Sequence, residues 1–304
     1  MGAAVPSTAT EELEFTRVNS ADGVSLLVVQ AGNKEGRQVL LLHGFSQSYL
    51  SWHEQLYDAN LTRQFQLVAI DLRGHGASEK PAAPSDYTSE KWAADVAAII
   101  AATGSKRPVL VGWSMGALVA ASYIKHRGVE QIGGINLVGS PAIFSPGGVE
   151  FDAQDPRKGT QLEAMQQMQS DDIQVNRVGT SAFVSMLTSK PPAAAQREMM
   201  SVYNMMTPAY ARRAMLASYT EWRSFAAVVS RLRIPVLISH GACDALVASE
   251  NAIITARAIH GARTSIYPGV GHAPFLEDAP RFNQELAEFV MTAQAAAGNA
   301  RRLI

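Results

Sequence analysis

The chain has 304 residues, of which 47% are hydrophobic and 17% charged, and its formal net charge is −1. That length and apolar content suit one large domain with an insertion, or two ordinary domains, and argue against a disordered chain. The balanced charge gives no electrostatic basis for a nucleic-acid or anionic-membrane partner, and the single cysteine, Cys243, excludes an internal disulfide and a cysteine-built zinc site.

Met1 to Glu14 lacks the charged start and apolar stretch of a signal peptide, and no run reaches the length of a membrane span, so a cytoplasmic setting is expected. Next in chain order, Glu12–Asn19 and Val24–Ala31 read as an antiparallel strand pair turned by Ala21, Asp22 and Gly23. Short β-branched or leucine-rich runs follow at Gln38–Leu42, Gln66–Ile70, Val109–Val111, Gly134–Val138, Val236–Ser239 and Thr264–Tyr267. Several are apolar throughout, as strands covered by helices on both faces are. Helical patterns fall between them at Trp52–Arg63, Ser89–Thr103 (capped by Thr88), Met115–Arg127, Ser249–His260 and Pro280–Ala297, with Ala293–Ala297 read as a fraying end.

This alternation predicts an α/β fold: a mostly parallel eight-stranded sheet flanked by helices. Residues 142–220 interrupt it with helical signals and no strand, and are read as a helical cap inserted between core segments 1–141 and 221–304. The cap carries eight of the eleven methionines: Met165, Met168, Met186, Met199, Met200, Met205, Met206 and Met215. Such flexible side chains suit an adaptable apolar pocket or ordinary gap-filling between helices.

The chemistry centres on Gly112-Trp113-Ser114-Met115-Gly116, which falls between a buried strand and an apolar helix. A sharp turn there presents a serine hydroxyl at the carboxyl end of the sheet, and the Met115 amide, at the helix start, can donate to an oxyanion. The strand before His43-Gly44-Phe45 ends in a loop able to aim the Phe45 amide at the same oxygen, with His43 and Gly44 as loop support. Ser46, Gln47 and Ser48 follow, and a hydroxyl there is placed to supplement that hole.

Asp244 lies just after one buried strand and His272 in a glycine-flanked loop after the next, so Ser114, Asp244 and His272 occur in the chain order of a nucleophile, acid and base on such a sheet. Among the other histidines, His53, His126 and His260 sit in predicted helices, His75 in a structural turn, and His240 at a strand end. Asp71 and Asp278 rival Asp244 as the acid; Asp71 is better read as bracing a turn with Arg73. Cys243 reads as a small core filler, with nothing nearby to make it a thiolate.

Together, His43 to Phe45, Asp71 to Ser78, Gly112 to Gly116, Asp244 to Val247 and Gly271 to Phe275 resemble the α/β-hydrolase family in order and spacing over nearly the whole chain. The resemblance implies that fold, a serine triad without cofactor or metal, and a small-molecule ester as substrate; it leaves the oligomeric state open. Ser114 stands where dehalogenases and epoxide hydrolases place Asp, which argues against both. Gly-Trp-Ser-x-Gly and Gly-His-Ala-Pro-Phe are similar to the biotin-pathway carboxyl methylesterase, and other features to the cofactor-free haloperoxidases. Ala273 replaces the Trp frequent in carbon–carbon hydrolases, and Ser46 the Pro frequent in haloperoxidase-like members. The expectation is a serine carboxylesterase acting on modest-sized apolar substrates through an acyl-enzyme. A perhydrolase or carbon–carbon bond hydrolase using the same triad is the alternative, and a hydrolase-fold ligand receptor a third reading.

Overall fold

Leucine-rich and β-branched runs become strands in all eight places where their pattern predicts them: β1 (Glu14–Asn19), β2 (Ser25–Gly32), β3 (Arg37–Leu42), β4 (Phe65–Ile70), β5 (Val109–Trp113), β6 (Gly134–Val138), β7 (Val236–Gly241) and β8 (Arg263–Tyr267). The computed structural model describes residues 12–141, 156–218, 225–229 and 231–300. One sheet holds all eight strands in the order β1-β2-β4-β3-β5-β6-β7-β8. β1 pairs antiparallel with β2, and β2 with β4; every later pairing is parallel. Because β3 lies beside β5, with Leu42 opposite Gly112, the carboxyl ends of β3, β5, β6 and β7 open side by side along one rim. Loops leaving those four ends meet there, as ligand-binding loops do in open α/β sheets.

The predicted helix over 52–63 is divided. A 3₁₀ turn at Tyr49–Trp52 leads into α1 (His53–Leu56), and α2 (Ala59–Gln64) starts afresh. Asp58 causes the break: its carboxylate accepts from the Asn60 and Leu61 amides and so restarts the helix as an N-cap. α3 (Ser89–Ala102) begins at Thr88, which caps it by accepting from the Lys91 amide. α4 (Met115–Arg127) is buried from Met115 through Ile124, so its sequence is apolar all round rather than striped.

Among the described residues, α5 (Pro156–Gln167), α6 (Ile173–Ser185), α7 (Ala194–Met205) and α8 (Ala209–Ala217) follow β6, and the short α9 (Ala226–Val229) precedes β7. Residues 142–155 and 219–220 of the predicted cap lie outside the described residues, as does most of the N-terminal segment. After α9 (Ala226–Val229) come α10 (Glu250–Ala258), the short α11 (Pro274–Glu277) and α12 (Ala279–Ala300), which runs on through the alanines expected to fray. Among the described residues, no helix is long and apolar enough to cross a membrane, and no cluster of three or more His, Cys, Asp or Glu could hold a metal.

Candidate active site

Between the last residue of β5 and the first of α4, Ser114 takes φ 52° and ψ −116°, a left-handed conformation that costs a residue with a Cβ about 1–3 kcal/mol. The turn is fixed from several sides. The Ser114 amide donates to the Val138 carbonyl at 2.8 Å. A Cβ on Gly112 would stand 2.5 Å from the Gly116 carbonyl oxygen, and one on Gly116 would collide with the Leu42 carbonyl oxygen. Both glycines are therefore required by space, letting β3, β5 and α4 close around the serine.

Asp244 and His272 are brought together directly. His272 Nδ1 lies 2.7 Å from Asp244 Oδ2, both side chains being buried, while Asp244 Oδ1 accepts from the Leu246 and Val247 amides at 2.8 and 2.9 Å. Burial pushes the Asp244 carboxyl towards its protonated form. The charge and hydrogen bond of His272, joined by those of His240, outweigh burial and hold it well below the usual carboxylate range. In the tautomer whose Nδ1–H donates to the carboxylate, Nε2 is the acceptor nitrogen of the imidazole.

The His272 loop is tied to the strand that leads to Ser114. Trp113 Nε1–H, one residue before Ser114, donates to the His272 carbonyl at 2.9 Å, and the two rings lie 5.6 Å apart. Gly139, after β6, leaves room for the imidazole: a Cβ there would meet His272 Cε1 and Nδ1 at 3.1 Å. Glu277 clamps the other side, accepting from the Gly271 amide at 2.7 Å with Oε1 and from the Ser189 amide at 2.8 Å with Oε2. Trp113 entered the sequence reading only as a letter of the serine motif, and Glu277 not at all; its position shortly after His272 is the one signal for it.

The loop after β3 is braced by two histidines. His43 accepts from the Leu72 amide through Nε2 at 3.0 Å and donates from Nδ1 to the Gly44 carbonyl at 2.8 Å. His75 accepts from the Ser46 amide through Nε2 at 3.1 Å and donates from Nδ1 to the Arg73 carbonyl at 3.0 Å. Burial keeps both neutral, pushing His43 down to about 4 and His75 well below its ordinary value. His43 thus ties the loop after β3 to Leu72, and His75 holds it from a second side. Gly44 packs against the site, where a Cβ would lie 3.2 Å from Trp113 and 3.4 Å from the Ser114 Cβ. Phe45 is buried with its ring edge-on to Phe183 of α6 at 6.2 Å. Met115, first residue of α4, has an amide in the turn that lacks intrahelical acceptors.

Four sequence expectations are corrected here. The polar groups at 46–48 are occupied: Ser46 Oγ donates to the Asn204 carbonyl and accepts from Arg212, Gln47 Nε2 donates to Asn204 Oδ1, and Ser48 Oγ caps the Leu50 amide. Asp71 braces its turn without Arg73: its oxygens accept from the Tyr49 and Ala77 amides, each at 2.7 Å, while Arg73 pairs with Asp95 and Asp22. Cys243 is exposed, its backbone amide donating to the Val270 carbonyl at 2.8 Å. His240, set aside as a strand end, reaches Asp244: its Nε2 lies 3.0 Å from Asp244 Oδ2.

Known proteins share this architecture. Residues 38–279 match the family described as alpha/beta hydrolase fold. An aryl esterase, so assigned, from Burkholderia cenocepacia superposes with a TM-score of 0.82 at 34% identity, over 93% of this chain and 100% of its own. An esterase from Rhodococcus sp. ECU1013 does so at 0.79 and 31%, over 92% and 99%. A non-heme haloperoxidase from Rhodococcus erythropolis is 26% identical over 90% of this chain and 98% of its own. The chain belongs to the alpha/beta hydrolase fold family.

Proposed function

We propose that the protein is a serine hydrolase that cleaves carboxylic esters of modest-sized apolar compounds through an acyl-enzyme. The observation that carries this reading is the left-handed Ser114 between β5 and α4, with the buried His272–Asp244 pair hydrogen-bonded to the same strand through Trp113. Ser114 Oγ attacks the ester carbonyl while His272 Nε2 takes its proton; His272 then gives that proton to the leaving alcohol. Water, deprotonated by the same imidazole, releases the acid and restores the serine. Asp244 fixes the tautomer of His272 and stabilises the imidazolium. The Phe45 and Met115 amides stabilise the oxyanion, each such donor being worth about 10²–10³ in turnover. In this reading residues 142–220 form a cap over the site, and its apolar side chains, Phe183 and Met200 among them, select uncharged groups. The aryl esterase and Rhodococcus esterase resemblances support the same substrate class.

Ser114→Ala tests the assignment against a chain-length series of 4-nitrophenyl esters. Turnover is expected to fall to background with the fold intact, and preference for charged acyl groups would count against the apolar pocket. The haloperoxidase relative, aligned along nearly its whole length, favours a second reading in which peroxide replaces water in deacylation. Peroxide-dependent halogenation that disappears in Ser114→Ala distinguishes it.

A further inference from the structure

Asp244 is held by four donors, and besides two backbone amides and His272 one of them is a second imidazole. His240, at the end of β7, is fully buried and places Nε2 3.0 Å from Asp244 Oδ2, the oxygen that also receives His272 Nδ1 at 2.7 Å. The Val247 carbonyl lies 3.2 Å from the same Nε2. With Oδ1 occupied by two amides, the two imidazoles compete for one oxygen. Across the sheet His240 is in register with Ile266 of β8, and its strand neighbour Ser239 with Val138 of β6. The titratable groups facing it are Asp244 on its own loop, His272 on the loop after β8, and Glu250 on α10.

A carboxylate oxygen that already receives one N–H is a weaker acceptor for another, because both donors draw on the same negative charge. We infer that His240 is a positioning residue for the reaction: its N–H on Asp244 Oδ2 takes up part of the charge that anchors His272, so the base stays unprotonated, and available to Ser114, at lower pH than a simple His–Asp pair would allow. This rests on Ser114, His272 and Asp244 acting as proposed above. The direction is the same in either protonation state of His240. Neutral, it shares the oxygen; cationic, it also repels the imidazolium of His272. Burial favours the neutral form of His240, while the hydrogen bond and charge of Asp244 outweigh burial and raise its proton affinity.

The test is the pH dependence of kcat/KM for 4-nitrophenyl acetate, paired with the rate of covalent labelling by a fluorophosphonate. His240→Phe and His240→Asn both remove the donor at Oδ2; Asn carries this arm if Phe fails to fold. The acid limb in these variants is expected to move up by about half to one pH unit, lowering turnover on that limb by about three- to tenfold. His240→Gln, which retains a neutral N–H near the position of Nε2, is expected to restore the wild-type limb. A limb that stays in place or moves down in folded Phe and Asn variants overturns the inference and leaves His240 as packing. Ester turnover that survives in Ser114→Ala sinks the relay itself, a separate failure.

Discussion

Arg212 of α8 donates through Nε to Ser46 Oγ at 2.9 Å, which hydrogen-bonds the inserted helices to the residue immediately after Phe45. The guanidinium is fully buried, and burial lowers it to about 10. Its further partners are neutral oxygens: the Met168 carbonyl at 2.8 Å, Asn176 Oδ1 at 2.7 Å and the Asn204 carbonyl at 2.6 Å. One side chain therefore joins α6, α7, α8 and the segment after α5 to the loop proposed to hold the oxyanion. Arg212→Met strands several buried acceptors and is expected to destabilise the fold by about 2–4 kcal/mol, with a loss of ester turnover as the loop loosens. Urea unfolding reads the first, and an unchanged midpoint would contradict this account. Arg212→Lys, lacking the planar fork, should recover only part of either.

For Asp244→Asn the expectation is a fall in kcat of about 10⁴ with the fold retained, because an amide facing His272 Nδ1 favours the wrong tautomer. Steady-state rates with 4-nitrophenyl acetate, checked against circular dichroism, measure it. Activity within tenfold of the parent would remove Asp244 from the relay.

Acid sensitivity should begin well above the carboxylate range. His43 is pushed from its ordinary 6.5 down to about 4, so between those values the unfolded chain binds a proton that the folded one excludes. Stability therefore falls as pH drops through this window, by about 3 kcal/mol for His43 alone, and His75 acts in the same direction. Two other groups act outside the window. The contribution of Asp244, whose proton affinity is depressed, is lost only as pH falls below 3.8; that of His240, whose affinity is raised, is lost as pH rises above 6.5. Urea midpoints measured from pH 7 to pH 4 should decline, and less steeply in His43→Gln. A decline just as steep in His43→Gln as in the parent would falsify the neutral, buried assignment of His43.

Space around the elbow predicts a contrast among glycines. Gly112→Ala and Gly116→Ala force a methyl against backbone and should each destabilise by about 3 kcal/mol or more, lowering the yield of active enzyme. Gly23, at φ +87° with nothing within 4 Å of a Cβ, meets no such obstacle, and Gly23→Ala should cost only about 1–2 kcal/mol of backbone strain. Thermal melts of the three variants check the order. Equal losses would show that packing at the elbow is not what the glycines supply.

What the sequence determined by itself is whatever neighbours along the chain control. Short apolar and β-branched runs marked all eight strands, and α4 falls at Met115–Arg127 as read. Gly112-x-Ser114-x-Gly116 announced a strained turn because its strain arises within five residues. Asp58 shows the limit even locally, since a good cap inside an apolar pattern divided the predicted helix. Tertiary structure decided which side chains share one acceptor. His240 was visible four residues before Asp244, but only the path of β7 aims its ring at the carboxylate that His272 also uses. Arg73 meets Asp95 rather than Asp71, and Arg212 meets Ser46 across 166 residues. Hydrogen bonds of this kind depend on direction and on distances of a few tenths of an ångström, which are set only when separate elements pack against each other.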